Sequence, residues 1–292
     1  MKSGIFVYKN EDALQRMHVF YDKTLAALNV PFTESYFETS FGKTHALVVG
    51  NPDKPKLFTI HGGNGITTLN LKLFRPLLEE FFIIAPDVPG MPGKSAPYRN
   101  ISSRKDEYGS WIKEVSDYYK LEKISFIVSS YSSAMFLSFA KAFPKNVEKA
   151  VLLVPSGIAH GPILPMLSKI VVPFMKYYSK PQPQTMNQIM EIMGGNEDES
   201  WREFFDLMMS SYKMEMRPPK EYSKKELNGF SSLVLLIASD NDIFFPANRV
   251  FKKAGKIFTC PIKQMKIDSR HLPSQEVMKD VCKAITEFMN KK

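Results

Sequence analysis

Two serines lie in a segment whose layout could support nucleophilic catalysis. Residues 123–129 form a largely apolar segment with β-branched residues, which leads into a cluster of small residues that contains Ser130 and Ser132. A helix-like segment follows at once and runs to Pro144. A strand, an abrupt turn and a helix, with a serine at the turn, form a nucleophile elbow, which exposes the serine Oγ above the sheet. By local sequence alone, either serine could occupy the apex of this turn.

A serine nucleophile needs a general base, and the base needs a group that orients it. Of the five histidines, His271 follows the last predicted strand and precedes a C-terminal amphipathic helix. Asp240 and Asp242 follow a buried strand and come shortly before Pro246. A buried Asp can fix the tautomer of a histidine, whereas an Asp at this position could also cap a helix. The three residue types together predict acyl-transfer chemistry.

Further motifs, in a consistent order along the chain, resemble those of the α/β-hydrolase superfamily. Residues 87–95 (DVPGMPGKS) resemble its "DxPGxGxS" loop, and the turn around Asp242 resembles its "GxxDxxxP" turn. Glu276 follows His271 at the spacing of the "GHxxxxE" pattern. Residues 41–55 (FGKTHALVVGNPDKP) resemble the bacterial NP-type carboxylesterases. This resemblance implies hydrolysis of carboxylic esters.

The resemblance also implies a role for each member of a triad. Reading Ser130 as the nucleophile lets residues 123–144 fit the superfamily pattern without a gap, whereas Ser132 would require a helix two residues shorter. His271 is then the base and Asp242 the acid, with Asp240 as its local rival. The order Ser, Asp, His along the chain is that of the superfamily.

The motif His61-Gly62-Gly63 follows a buried strand and suggests an oxyanion hole. Acyl transfer needs preorganised N–H donors for the developing oxyanion. In this superfamily the loop after this strand supplies one donor, and the residue after the nucleophile supplies the other. We therefore expect the backbone N–H groups of Gly63 and Tyr131 to form the hole, with His61 in the scaffold of the loop. His18 and His45 are interpreted as surface or packing residues.

Four positions depart from the superfamily pattern, and one of them is Ser239, which stands at the glycine position of the "GxxDxxxP" turn. Val128 and Ser132 stand where the elbow has glycines, and Arg270 stands where a glycine precedes the histidine. A β-branched side chain at a point of close strand–helix approach can cause overpacking. Because Ser132 and the residues after it are small, we expect the elbow to keep its geometry.

A protein of this fold that binds an apolar ligand or partner without catalysis is the alternative to a serine hydrolase. Peptidase, lactonase and C–C hydrolase activities are further alternatives.

The alternation of predicted strands and helices indicates a mostly parallel central sheet with helices on both faces and an inserted helical cap. The resemblance implies that this architecture is the α/β-hydrolase fold. We expect a helix at 11–28 and two antiparallel strands near 32–50. Further strands are predicted near 57–61, 81–86, 124–129, 149–155, 232–239 and 261–267. Helices are predicted near 67–80, 103–120, 131–143, 246–255 and 273–290. Residues 1–156 and 229–292 would form the core.

The remaining residues, 157–228, break the alternation and are predicted to form the helical cap, or lid. Met186, Ile189, Met190 and Met193 have helical spacing, and Ser200-x-x-Glu203 is a capping-box signature. Methionine is flexible and suits irregular apolar ligands, so we expect a pocket for an apolar acyl or alcohol group.

Composition limits the remaining functional classes. The chain has 292 residues, a net charge of +9 and two cysteines, Cys260 and Cys282, which are too few for a disulfide framework. We expect a cytoplasmic protein without a signal peptide or membrane span. No cofactor, metal site or nucleic-acid partner is expected. The expected partner is a small apolar ester as substrate, and the oligomeric state is not predicted.

Overall fold

The computed structural model describes residues 4–195, 197–215 and 217–291, in which strands and helices alternate over most of the chain. The strands in these ranges are β1 (Ile5–Phe6), β2 (Phe32–Thr39), β3 (Gly42–Val49), β4 (Lys56–Ile60), β5 (Phe82–Pro86), β6 (Tyr98–Arg99), β7 (Ile124–Ser129), β8 (Val147–Leu153), β9 (Leu233–Ala238) and β10 (Ile262–Lys266). The α-helices are α1 (Glu11–Ala27), α2 (Thr67–Leu73), α3 (Glu107–Tyr118), α4 (Tyr131–Ala142), α5 (Ile163–Met166), α6 (Val172–Ser179), α7 (Pro183–Met193), α8 (Glu199–Ser211), α9 (Ala247–Ile257) and α10 (Gln275–Asn290).

Eight of these strands form one sheet in the order β10-β9-β8-β7-β4-β5-β3-β2. The strands from β10 to β5 are parallel to their neighbours, whereas β3 is antiparallel to both β5 and β2. The predicted mostly parallel sheet with two antiparallel strands is therefore confirmed. Because parallel strands end at the same edge, the loops after β4, β7, β9 and β10 meet there, and these loops carry the candidate residues.

The central strands are buried on both faces, so their side chains enter two separate apolar clusters. Along β7 and β8, Ile127 and Val151 belong to one cluster, while their neighbours Phe126 and Leu152 belong to the other. Helices α1 and α10 cover the first face, and α3, α4 and α9 cover the second. Nearly continuous burial explains why these strands read as unbroken apolar runs in the sequence.

Helices α5 to α8 lie between β8 and β9, in the range predicted as a cap. Between α5 and α6 the chain makes a π-helical turn, Leu167–Val171. The methionine stripe of α7 is buried in the first apolar cluster, as are Phe204, Phe205 and Met208 of α8, together with residues of α1 and the sheet. These side chains therefore pack the insertion against the rest of the molecule.

Some local predictions are wrong. The capping box at Ser200 is not formed, because α8 begins earlier, and Asp198 accepts a hydrogen bond from the Ser200 N–H as the N-cap. The helix expected at 103–120 is interrupted at Asp106, which has a φ of 55° and separates a short 3₁₀ turn from α3. The helix expected at 67–80 is likewise divided into α2 and a 3₁₀ turn, Arg75–Glu79, that begins near a proline.

Across the described ranges, no helix is both long enough and apolar enough to cross a bilayer.

Candidate active site

Ser130 occupies a sharp turn between β7 and α4. Its backbone angles are φ 55° and ψ −126°, a conformation that non-glycine residues rarely adopt and that places strain at this position. The backbone around it is strongly held: the Ser130 N–H donates to the Leu153 carbonyl oxygen (3.0 Å). The Ser130 carbonyl oxygen accepts from both the N–H (3.1 Å) and the hydroxyl (2.9 Å) of Ser156. The surrounding hydrogen bonds thus maintain the strained turn.

The elbow keeps this geometry although it lacks the usual glycines. Val128 is fully buried, and it lies in register between Ile60 and Leu152 as an ordinary strand residue. Ser132 is also fully buried, and its hydroxyl donates to the Ser129 carbonyl oxygen (2.8 Å) and accepts from the Ser129 N–H (3.0 Å). The turn therefore accommodates the Ser132 side chain at the glycine position through these hydrogen bonds.

His271 links Ser130 to Asp242. The Ser130 hydroxyl lies 2.9 Å from His271 Nε2, and His271 Nδ1 lies 3.0 Å from Asp242 Oδ2. Because the carboxylate can only accept, Nδ1 carries the proton, and Nε2 is free to accept from the serine. His271 is 7% exposed and Asp242 1% exposed, so both side chains are shielded from water. The structure therefore brings these three predicted residues together in hydrogen-bonding contact.

Asp240, the rival of Asp242, has a different role. Its carboxylate accepts from the Asn248 N–H (3.0 Å) in the first turn of α9 and forms an ion pair with Lys266. Asp242 instead accepts from the Phe244 N–H (2.8 Å) with the oxygen that does not face His271. The helix-capping function suggested for both residues applies to Asp240.

The loops that carry Asp242 and His271 are joined by a second serine at a glycine position. Ser239 replaces the glycine of the "GxxDxxxP" turn, and its hydroxyl donates to the Ser269 carbonyl oxygen. The same hydroxyl accepts from the Ser269 N–H (3.2 Å). On the other side of the histidine, the Leu272 N–H donates to the Met193 carbonyl oxygen (2.7 Å) at the end of α7. His271 is thus held by contacts to both its flanks.

The loop after β4 approaches the elbow closely. A side chain at Gly63 would lie 2.8 Å from the Cβ of Tyr131, so only glycine fits there. Tyr131 is the first residue of α4, whose N-terminus carries a partial positive charge. Within the part of the chain that the structure describes, neither the Gly63 nor the Tyr131 N–H donates a hydrogen bond. Both groups are therefore available beside Ser130.

His61 fixes the shape of this loop. Its Nδ1 lies 2.8 Å from the Gly62 carbonyl oxygen, and its Nε2 lies 3.3 Å from the Val88 backbone nitrogen. Because the Val88 N–H can only donate, Nε2 must be unprotonated and Nδ1 donates to Gly62. Burial lowers the pKa of His61, against the opposing effects of the Asp87 carboxylate and the Gly62 hydrogen bond. The neutral ring is therefore the form that suits this contact.

Asn64 clasps the same loop to the insertion, a contact that the sequence did not reveal. Its side-chain amide donates to the Glu215 carbonyl oxygen (3.0 Å) and accepts from the Glu215 N–H (2.8 Å). Asn64 has a φ of 53°, a left-handed conformation that asparagine tolerates better than most residues. The only local sequence signal for this contact is the asparagine directly after His-Gly-Gly, and it does not identify Glu215 as the partner.

His45, expected at the surface or in packing, is fully buried in a charged network. Its ring contacts Asp87 through Nδ1 (2.8 Å) and Glu34 through Nε2 (3.1 Å). Burial raises the pKa of Asp87, but hydrogen bonds from His45 and Thr67 and the electrostatic effects of His45 and His61 together outweigh burial and hold that pKa below its usual value. Asp87 also accepts from the Lys94 N–H (2.9 Å), which fixes the loop of residues 87–95. His18 is partly buried and contacts the Gly93 carbonyl oxygen (3.2 Å).

A cleft of about 780 Å³ lies beside the Asp242 loop. Its walls come from the insertion, including Lys169 and Ile192, and from the loops of the core, including Ile243 and Arg270. Arg270, at the position of the missing glycine, therefore contributes a charge to the rim of this cleft. Ser130 is not among the lining residues, whereas Asp242 is, so the cleft adjoins the group of Ser130, His271 and Asp242 on the Asp242 side.

Comparison with known proteins places these features in context. A family model described as the alpha/beta hydrolase fold matches residues 55–233. Carboxylesterase YbfK of Bacillus subtilis is 29% identical over 141 residues, which are 48% of this chain and 47% of that protein. A 2-hydroxy-6-oxononadienedioate/2-hydroxy-6-oxononatrienedioate hydrolase of Cupriavidus pinatubonensis is 27% identical over 133 residues, 45% of each chain. The match thus spans about half the length of these curated relatives.

A crystal structure of naproxen esterase (carboxylesterase NP) from Bacillus subtilis superposes with a TM-score of 0.81 at 19% identity. The superposition covers 96% of this chain and 99% of that one. At this identity the likeness shows a shared architecture over nearly the whole chain.

Proposed function

Because the chain belongs to the α/β-hydrolase fold family, whose model matches more than half of it, we propose that it is a serine hydrolase of carboxylic esters. The fold class predicted from the sequence is confirmed by this match and by the structural neighbours. The observation that carries the proposal is the relay from the Ser130 hydroxyl through His271 to Asp242, with hydrogen bonds of 2.9 and 3.0 Å. It matches the arrangement that activates serine in acyl-transfer enzymes.

The first half-reaction forms an acyl-enzyme. The Ser130 Oγ attacks the ester carbonyl carbon as its proton passes to His271 Nε2, and Asp242 stabilises the resulting imidazolium. The carbonyl oxygen becomes an oxyanion, which the Gly63 and Tyr131 N–H groups bind. When the tetrahedral intermediate collapses, His271 gives the proton to the alkoxide, which leaves as the alcohol.

The second half-reaction releases the acid. Water attacks the acyl-enzyme carbonyl as His271 takes its proton, and a second tetrahedral intermediate forms at the same N–H donors. Its collapse breaks the bond to Ser130 Oγ, which recovers the proton from His271.

We propose that residues 157–228 act as a cap and that the ester carries an apolar acyl or alcohol group. The Phe244 ring lies 4.7 Å from the His271 ring, and Phe245 lies 5.8 Å from it, so an apolar wall adjoins the base. The cleft beside Asp242 also carries charged residues, among them Lys169 and Arg270. Apolar groups would therefore be bound on the phenylalanine side.

A second candidate is the hydrolysis of a carbon–carbon bond. The observation in its favour is the similarity to the Cupriavidus hydrolase, whose name gives 2-hydroxy-6-oxononadienedioate as a substrate. A direct comparison of kcat/KM for p-nitrophenyl butyrate and for 2-hydroxy-6-oxononadienedioate would separate the two reactions. The proposed ester hydrolysis requires a higher kcat/KM for the ester.

Labelling with a fluorophosphonate, followed by mass-spectrometric mapping of the modified peptide, tests the proposed nucleophile. We expect one label per chain, on Ser130, and we expect labelling to be slowed strongly in His271→Ala, since the probe reacts with an activated serine. Asp240→Asn is the matched control for Asp242→Asn: the former should label at the wild-type rate and the latter slowly. A label on Ser132, or no label on a folded protein, would overturn the assignment.

A further inference from the structure

A group of large apolar side chains is exposed along one helical run of the insertion. The run comprises α5, the π-helical turn and α6, and Leu164, Ile163 and Met175 in it are 78%, 69% and 57% exposed. It holds six of the thirteen exposed large apolar side chains in the described ranges. We call these six residues the apolar strip: Ile163, Leu164, Leu167, Val172, Met175 and Tyr178.

The apolar strip is not required for packing the insertion. The opposite side of the same run, including Ile170, Phe174 and Tyr177, is already buried in the apolar cluster with α7 and α8. A surface helix normally presents a polar face to water, and contiguous exposed apolar patches mark surfaces that bind something. The strip therefore indicates a contact outside the chain.

The charged residues within the helical run are all basic, and one of them, Lys169, faces the cleft that it lines together with Glu191 and Asp240. Lys169, Lys176 and Lys180 lie within or directly after the run, and the sequence contains no Asp or Glu between Lys149 and Met190. The Lys9 ammonium lies 4.5 Å from the centre of the Tyr178 ring and adds a further positive charge. The carboxylate of Asp206 touches the run on its packed side, where it accepts from the Tyr177 hydroxyl (2.6 Å).

We propose that the apolar strip docks the protein on the surface of an anionic lipid bilayer. Side chains that project from one helical run can enter the boundary between headgroups and acyl chains, while flanking lysines extend to the lipid phosphates. Each lysine near an anionic membrane strengthens binding about fivefold. A second copy of this chain fits less well, because a two-fold contact through the strip would bring like charges together. The inference goes beyond ester hydrolysis, and its test does not depend on turnover.

Vesicle sedimentation of the purified full chain tests this docking. We expect binding to vesicles of equal parts phosphatidylcholine and phosphatidylglycerol, weaker binding to phosphatidylcholine alone, and loss of binding at high salt. The double variant L164S/M175S should bind the anionic vesicles at least about tenfold more weakly, because it removes apolar area that the bilayer would bury. K176Q/K180Q should show a similar loss by removing charge. Both pairs are exposed, so folding should be retained, which circular dichroism can verify.

Leu233→Ser is the matched control, since Leu233 is 42% exposed at the first residue of β9, the strand end opposite the candidate site. It should bind vesicles as the wild type does. Absence of wild-type binding to the anionic vesicles would overturn the proposal, as would unchanged binding of L164S/M175S. A dimer in analytical ultracentrifugation that L164S/M175S dissociates, without vesicle binding by the wild type, would show instead that the strip joins two copies.

Discussion

At the scale of single residues, Ser130 and Ser132 show how environment separates two identical side chains. The hydroxyl of Ser132 uses both its donor and its acceptor capacity on the Ser129 backbone and is fully buried. The hydroxyl of Ser130 faces the acceptor nitrogen of His271 from the apex of a strained turn. A saturated, buried hydroxyl has no path to a substrate, whereas the other is placed beside a base.

The two serines should therefore respond differently to alanine. We expect Ser130→Ala to lower kcat for a short aryl ester by a factor on the order of 10⁴, because the nucleophile is lost. Ser132→Ala should retain kcat within about tenfold and lower the free energy of unfolding by about 1 kcal/mol, since it leaves the Ser129 hydrogen-bonding groups without this partner. Steady-state kinetics and urea unfolding of both variants provide the measurement.

Ser130→Ala combined with His271→Ala provides the control. Residues that act as one unit lose activity in a strongly non-additive way, so the double variant should be little worse than either single variant. Ser132→Ala losing as much kcat as Ser130→Ala, while still folded, would contradict the assignment.

At the scale of elements, the positions of strands and helices that depend on local sequence pattern could be predicted. The apolar runs and their order are enough to locate β7 at Ile124–Ser129 and to predict a parallel sheet. The N-cap of α8 is Asp198, whereas the sequence pattern placed it at Ser200. Both residue types are good N-caps, and the sequence does not decide between them. The contact between Asn64 and Glu215 joins residues 151 positions apart, so no local rule could reveal it. Local pattern thus locates the elements, and tertiary contacts decide how their loops are tied together.

The clasp between Asn64 and Glu215 should affect the chemical step. Asn64→Gly keeps a residue that tolerates the left-handed φ but removes the amide, so the Gly63 N–H loses part of its support. We expect kcat to fall by about tenfold to a hundredfold with KM little changed, because an oxyanion donor acts mainly in the transition state. Steady-state kinetics with one aryl ester give both parameters.

Arg217→Ala is the control for this element. It removes the ion pair with the Glu215 side chain (2.6 Å) and leaves the two hydrogen bonds between Asn64 and the Glu215 backbone. We expect it to keep the wild-type kcat. An Asn64→Gly variant with unchanged kcat, or with a loss confined to KM, would show that the clasp does not position the oxyanion loop.

At the scale of the whole molecule, charged groups tie the last part of the insertion to the core. Asp106, at the break before α3, contacts Lys141 of α4 (2.6 Å) and Lys220 (3.0 Å). The same two lysines contact Glu226, at 3.2 and 2.7 Å. The Tyr222 hydroxyl also donates to Asp106 (2.8 Å). The insertion is therefore held in two ways, by apolar packing of its helices and by this ionic network at its end.

The ionic network makes the free energy of unfolding depend on pH. Burial raises the pKa of Glu226, but hydrogen bonds from Lys220, Ser223 and Lys141 together outweigh burial and lower it to about 2, from an ordinary value of 4.5. A carboxyl with a lowered folded-state pKa stabilises the fold above its unfolded-state pKa, and this stabilisation is lost as pH falls from about 4.5 towards 2. Because the network is partly open to water, we expect Glu226 to contribute on the order of 1 kcal/mol.

Urea unfolding at about pH 6 and about pH 3 measures this contribution. Between these two values, Glu226→Gln should lose less stability than the wild type by on the order of 1 kcal/mol, because its amide does not titrate. Glu38→Gln, at an exposed position of β2, is the matched control and should keep the wild-type pH dependence. Equal losses in the wild type and Glu226→Gln would show that the network does not stabilise the fold through this carboxylate.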